Sequence, residues 1–168
     1  GDACETGGEH EEGCIRQYGE VRNDCDNSSR SWAQAYLYAV DEARGQAVAM
    51  GTDFNGLAGQ PSPRYGPDAC NREGGEQREG EQVQYPFELH GLPGRMGPGV
   101  TGDRTFNINC DGLAHVGMLP DFIEDLKQVG VNDFQLEPLF RSAEAYVALW
   151  ERVERQSDGR TDLREVRP

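Results

Sequence analysis

The run Ala47-Val48-Ala49-Met50-Gly51-Thr52-Asp53-Phe54-Asn55-Gly56 constrains this chain more than any other stretch, because consecutive apolar residues stop abruptly at an acid, an amide and glycines. Bounded by Gly45 and Gly51, the apolar part fits a strand covered on both faces, the habit of parallel sheets flanked by helices. Ahead of it, Trp32, Ala33, Tyr36, Leu37 and Val40 recur at helical spacing between Ser29 and Ala43, with Ser28 or Ser29 to cap the start and Gly45 to stop the end. The unit predicted is helix, short turn, buried strand, loop. In α/β proteins, sites gather at the carboxyl ends of strands, and Asp53 falls there. The plainer alternative is that Asp53 caps a turn with its own side chain.

The segment Gly51 to Gly56 resembles the Gly-Ser-Asp-Phe-Asp-Gly signature on the last barrel strand of membrane dipeptidases, zinc enzymes of the amidohydrolase superfamily. A later run, Asn107-Ile108-Asn109-Cys110-Asp111-Gly112-Leu113-Ala114-His115-Val116-Gly117-Met118-Leu119-Pro120-Asp121, is similar to the ending of large secreted relatives of those enzymes, as are Ser142 to Tyr146 and Trp150. The likeness covers roughly Cys25 to Val153, with Asn55 standing where the dipeptidase pattern has a second acid. It implies the C-terminal part of a (β/α)8 TIM-type barrel, α/β in class. Asp53 would be the catalytic residue beside a binuclear zinc site, handling the proton of the attacking water and possible as a metal ligand itself. Asn55 would lie on the substrate side.

A complete barrel takes ~250 residues, whereas this chain has 168 and one convincing core strand. Its histidines, His10, His90 and His115, are far apart and lack the close pairing of zinc ligands. The resemblance implies that most metal ligands come from earlier barrel strands, expected on another, larger barrel-forming polypeptide, most simply the other half of the same precursor. With no hydrophobic signal segment or membrane span and five cysteines without a CxxC, disulfides in a secreted, periplasmic or extracellular setting are the better reading. Cys4 with Cys14 would be the most local closure, and the odd cysteine either bridges to the partner or packs as a free thiol.

A net charge of −14 argues against nucleic acid, since no basic face is available for phosphates. His10 among Glu9, Glu11 and Glu12 reads as solvated surface before it reads as a metal site.

The organisation predicted is a cysteine-containing segment over 1–27, the last barrel helix and strand over 28–56, a long pocket loop over 57–106, a helical segment over 107–156 and a frayed tail over 157–168. Within the loop, Gln82 to Leu89 alternates like a short strand, confined to an edge by Pro86. Arg64 and Arg104 are candidates to bind a carboxylate or phosphate on a small-molecule or peptide substrate, against internal ion pairs as the alternative. His115 is a further substrate-side candidate, against a structural role anchoring the terminal segment. Pro120 suits a first helical turn, with Phe122, Ile123, Leu126 and Val129 on one face and Gly130 as its stop. A second helical stretch from Asp133 to about Arg155 breaks near Pro138. Their apolar faces need a cover outside the chain. Two functions follow: the C-terminal subunit of a dipeptidase-like hydrolase, or a non-catalytic binding or structural subunit.

Overall fold

The computed structural model describes residues 18–57, 59–70 and 80–162, with side chains to Ser157. The readings for Cys4, Cys14 and His10 lie outside the described residues. The described residues mix helices with two small antiparallel hairpins: α1 (Ser29–Glu42), β1 (Phe87–Glu88), β2 (Arg95–Met96), β3 (Gly99–Thr101), β4 (Arg104–Phe106), α2 (Ile108–Asp111), α3 (Leu119–Gln128), α4 (Asp133–Phe140) and α5 (Ser142–Asp162).

Helix α1 forms where its spacing predicts. Ser28 is the N-cap, its side chain accepting from Arg30 N–H at 3.2 Å. At the other end Gly45, with φ 71°, donates to Val40 C=O at 2.9 Å, and a Cβ there would stand 2.2 Å from the Tyr18 hydroxyl, so glycine is required. The buried face of Ala33, Tyr36, Leu37 and Val40 packs against α3, whose own buried residues include Phe122 and Leu126. Leu37, Val40, Phe122 and Leu126 each contribute about 1.5–3 kcal/mol on leaving water. Trp32 stands edge-on to Phe122 with ring centres 5.3 Å apart.

Helix α4 opens on a capping box between Asn132 and Gln135. Tyr36 ties it to α1, donating to Gln135 C=O at 2.7 Å and accepting from Leu139 N–H at 3.2 Å. Burial pushes that phenol up to about 12. Pro138 lies inside α4, which ends two residues on, and α5 continues to Asp162, past the expected start of the tail at 157. Along α5 the large residues Tyr146, Val147, Leu149, Trp150 and Val153 are exposed. Among the described residues no helix is long and apolar enough to cross a membrane.

The expected buried strand at Ala47–Met50 does not form here. The segment is extended but half-buried, Ala49 is exposed, and it joins neither sheet. A strand needs a neighbour to complete its ladder, and among the described residues only Pro138 C=O lies opposite, taking Val48 N–H at 3.1 Å. No barrel is therefore assembled from the described residues.

The region read as one irregular loop contains both hairpins. Gly102, with φ 60°, begins the two-residue link between β3 and β4, the position where type II′ turns need glycine. The alternation of Gln82–Leu89 is realised as burial, with Val83 and Phe87 inside and Gln84, Pro86 and Glu88 outside, while ladder pairing is confined to Phe87 and Glu88. Val83 finds its backbone partners in a side chain instead: Asn109 accepts from Val83 N–H and donates to Val83 C=O, both at 2.9 Å. A disulfide joins Cys25 to Cys70, and the Cys110 thiol is free and exposed.

Candidate functional site

Asp53 follows the extended segment at the edge of a cleft of about 220 Å³. Trp32 of α1, the backbone at Gly51 and Thr52, Gln60, Pro61 and Leu113 form its walls. Three separate stretches are held together there by main-chain bonds. Gln60 donates its side-chain amide to Thr52 C=O at 2.8 Å, closing the intervening loop, and Leu113 N–H donates to Pro61 C=O at 3.0 Å. Gly112 makes the second junction possible: its φ is 63°, and a Cβ would lie 2.5 Å from Pro61 C=O. Tyr65 N–H bonds Asn109 C=O at 3.0 Å, and Ser62 N–H bonds Asn27 C=O at 2.7 Å. The Gly51–Gly56 motif and the Asn107–Asp121 motif, about sixty positions apart, thus share one wall.

Within the first motif the chain turns sharply. Gly56 N–H donates to Asp53 C=O at 3.0 Å, and both Asp53 (φ 50°) and Asn55 (φ 64°) adopt the left-handed conformation. Asn55 occupies the third position of that turn, where a positive φ is filled by glycine or asparagine. The amide standing in place of a second acid therefore has a conformational account. Gly56 leaves room for the carboxylate, since a Cβ there would meet Asp53 Oδ1 at 2.7 Å. Among the described residues no hydrogen bond or ion pair holds the exposed Asp53 side chain.

No protein-family model, curated protein or solved structure matches the chain. The likeness to dipeptidases consequently rests on the motifs themselves.

The structure separates the other candidates from the cleft. Arg64 is corrected from a substrate-side residue to an interior one: it is 1% exposed, and its guanidinium holds Asp125 at 2.6 Å and Glu81 C=O at 2.5 Å. A fork so engaged has no reach to a ligand. It belongs to a chain of alternating charges in which Asp24, Arg30, Glu81, Arg64 and Asp125 follow one another from α1 to α3. Arg104 lies exposed on β4, 3.0 Å from Asp111 and over the Phe106 ring, away from Asp53. Asn55 is exposed beside Asp53 without lining the cleft. His115 caps the short 3-10 turn Val116–Met118, its Nδ1 accepting from Gly117 N–H at 3.1 Å, with its ring edge-on to Phe106.

Residues that sequence reasoning missed include Gln60, whose clamp on Thr52 lies in the Gly-Pro-rich loop, and the pair Tyr85–Asp121. Asp121 is fully buried and accepts from the Tyr85 hydroxyl at 2.5 Å. Burial pushes the Asp121 carboxyl above its ordinary range, against the Tyr85 bond and the nearby His115, and burial likewise drives the Tyr85 phenol upward. A second concavity of about 230 Å³, lined by Phe87, Leu89, Leu119, Ile123 and Phe140, is almost wholly apolar. Beside it His90 stacks on Phe140 and lies 3.3 Å from Asp133.

Proposed function

We propose that this chain is the C-terminal portion of a secreted, metal-dependent hydrolase of dipeptidase type, completed by a larger barrel-forming polypeptide, and that Asp53 is its contribution to the chemistry. The observation that carries the reading is the cleft itself. Of the charged candidates, Asp53 alone lines it, with a carboxylate uncommitted among the described residues, where the two motifs of the resemblance meet.

A carboxylate so presented can take a proton from an attacking water and return it to the nitrogen leaving a cleaved amide. Zinc would supply water activation at neutral pH when bound. Among the described residues no group of three or more His, Cys, Asp or Glu could hold a metal ion, so Asp53 does not by itself fit a metal site. The ligands would then lie on the other polypeptide. The substrate class is a small molecule or short peptide with an amide bond. The Cys25–Cys70 disulfide is compatible with an oxidising, extracellular setting.

A second reading, a non-catalytic binding or structural subunit, is favoured by Asn55 and by the exposed apolar residues of α5. Native mass spectrometry of the protein from its source, with metal analysis on the same sample, separates the two. A complex releasing this chain, a larger partner and one or two metal ions, with hydrolysis lost on Asp53→Asn, supports the enzyme. A metal-free complex without amidase or esterase activity overturns it in favour of the second reading. Because Asp53 is exposed and unpaired among the described residues, Asp53→Asn is expected to leave the melting temperature of the chain unchanged.

A further inference from the structure

The β1–β2 hairpin, the start of α3 and the end of α4 line the apolar concavity of about 230 Å³, and these walls are tied to one another. Phe87 and Glu88 pair with Met96 and Arg95, and Leu89 N–H donates to Gly94 C=O at 3.1 Å, so the hairpin tip closes on itself. From that tip His90 stacks on Phe140, ring centres 4.4 Å apart, and sets Nδ1 3.3 Å from the Asp133 carboxylate, joining the hairpin to both ends of α4. The remaining wall is the first turn of α3, with Leu119, Pro120 and Ile123. Such a surface gives water few partners, so an apolar occupant displaces it at little cost. An apolar cavity of about 150 Å³ accepts benzene. The larger space here has room for a bicyclic ring.

The charges around the concavity decide which apolar molecule suits it. Among the described residues that line it there is no lysine or arginine, whereas Glu88 and Glu124 are both present. Glu124 is engaged, by Lys127 at 3.1 Å and by the Gln128 amide at 2.8 Å. Glu88 is exposed, and among the described residues no hydrogen bond or ion pair holds its carboxylate. Its ladder partner Arg95 donates to Pro86 C=O at 3.1 Å instead. We propose that this concavity binds a small apolar cation, an amine with an aromatic body of about bicyclic size, whose rings lie among Phe87, Leu119, Ile123 and Phe140 and whose ammonium is received by Glu88 at the rim.

The sign of the ligand follows from what each alternative would meet. An anionic headgroup would stand beside Glu88 with no cation to receive it, on a chain of net charge −14. A neutral one leaves Glu88 as it is. A cation gains an ion pair at the rim and the attraction of aromatic walls for positive charge. The apolar body supplies most of the affinity and Glu88 the selectivity, the usual division of labour in ligand pockets. No lining residue is shared with the Asp53 cleft, so this inference does not depend on the hydrolase reading.

The test is methyl NMR of the isotope-labelled full chain at low salt, titrated with three probes that share one indole body: tryptamine, a cation; tryptophol, neutral; and indole-3-propionate, an anion. Tryptamine is expected to shift the methyls of Leu89, Leu119 and Ile123 with a Kd of about 1 mM or tighter. It should bind about two- to tenfold more tightly than tryptophol, with the propionate weakest. In Glu88→Gln, a change at an exposed position, tryptamine should fall to the tryptophol value while tryptophol itself is unaffected. Lining methyls indifferent to all three probes, or a propionate that binds as tightly as tryptamine, overturns the proposal in the wild-type chain. A tryptamine advantage that survives Glu88→Gln overturns it too. So does movement of the same methyls on dilution without any probe, which would mean that a second copy of the chain fills the concavity.

Discussion

Replacing Arg64 with alanine removes a guanidinium that is 1% exposed and touches Asp125 at 2.6 Å, Glu81 C=O at 2.5 Å and the Tyr65 hydroxyl at 3.3 Å. Asp125 is itself 5% exposed, so the substitution strands a carboxylate in the interior. Breaking a buried pair from one side costs about 3–5 kcal/mol. That is a large part of the roughly 5–15 kcal/mol by which domains are stable. For a chain of this size it corresponds to a fall of about 6–20 °C in melting temperature. Urea titration and thermal melts of the two proteins measure it. The control is Arg64→Met with Asp125→Leu, which removes both charges while keeping bulk; because ion pairs repay little over apolar packing, the double variant should recover most of the loss. A loss below about 1 kcal/mol for Arg64→Ala, or a double variant no better than the single one, would refute the interior role and reopen a ligand-binding one.

Asn109→Ala leaves Val83 N–H and C=O without their partners, and each orphaned group costs about 1–3 kcal/mol, read as a fall in the urea midpoint. Tyr85→Phe should carry a cost that depends on pH. Asp121 has a folded-state pKa raised above its unfolded one, so the fold binds its proton more tightly, and this contribution to stability is present at low pH and lost as pH rises through the folded value. The Tyr85 hydroxyl offsets part of that loss by donating to the ionised form. The variant should therefore be destabilised more at pH 8 than at pH 4, and paired melts showing equal or opposite differences would refute this.

What the chain discloses before folding is governed by the range of the interaction. Helix α1 was legible because Ser28, the Trp32–Val40 spacing and Gly45 all act within a few residues of the bonds they determine. The same holds for Pro120, the Phe122–Leu126 face and Gly130 around α3. The β3–β4 hairpin was missed although Gly102-Asp103 is a two-residue turn signal, because three-residue strands are too short to show alternation. Arg64 could not be assigned from its neighbours. Its partners Glu81 and Asp125 lie 17 and 61 positions away, and among 30 acidic residues nothing local distinguishes those two. Similarly, Asp121 reads as an ordinary first-turn helix acid, and only tertiary packing buries it under Tyr85. At the cleft, Asp53 stands directly after the apolar run, as the order of the sequence requires, whereas Gln60 and Leu113 come there through a side-chain bond to Thr52 C=O and a backbone bond to Pro61 that no spacing rule encodes.

The segment Ala47–Met50 poses the sharpest question, because its composition asks for full burial and a ladder, whereas it is half-buried and joins neither sheet. Val48 N–H reaches Pro138 C=O, but the N–H groups of Ala47, Ala49 and Met50 have no acceptor among the described residues. Apolar side chains with unpaired backbone are unfavourable in isolation: water satisfies the amides only by also wetting the side chains, and burying them without acceptors costs about 1–3 kcal/mol per group. Both demands are met together if a neighbouring strand from another polypeptide supplies the acceptors, as the proposed barrel would. Amide hydrogen exchange distinguishes the cases. In the isolated chain, Ala47, Ala49 and Met50 should exchange much faster than the α1 amides of Leu37 and Val40; in the complex recovered from its source, they should be protected to a similar degree. Equal and rapid exchange in both preparations would mean that this segment is not a strand of the assembly, and the barrel reading would lose the element from which it starts.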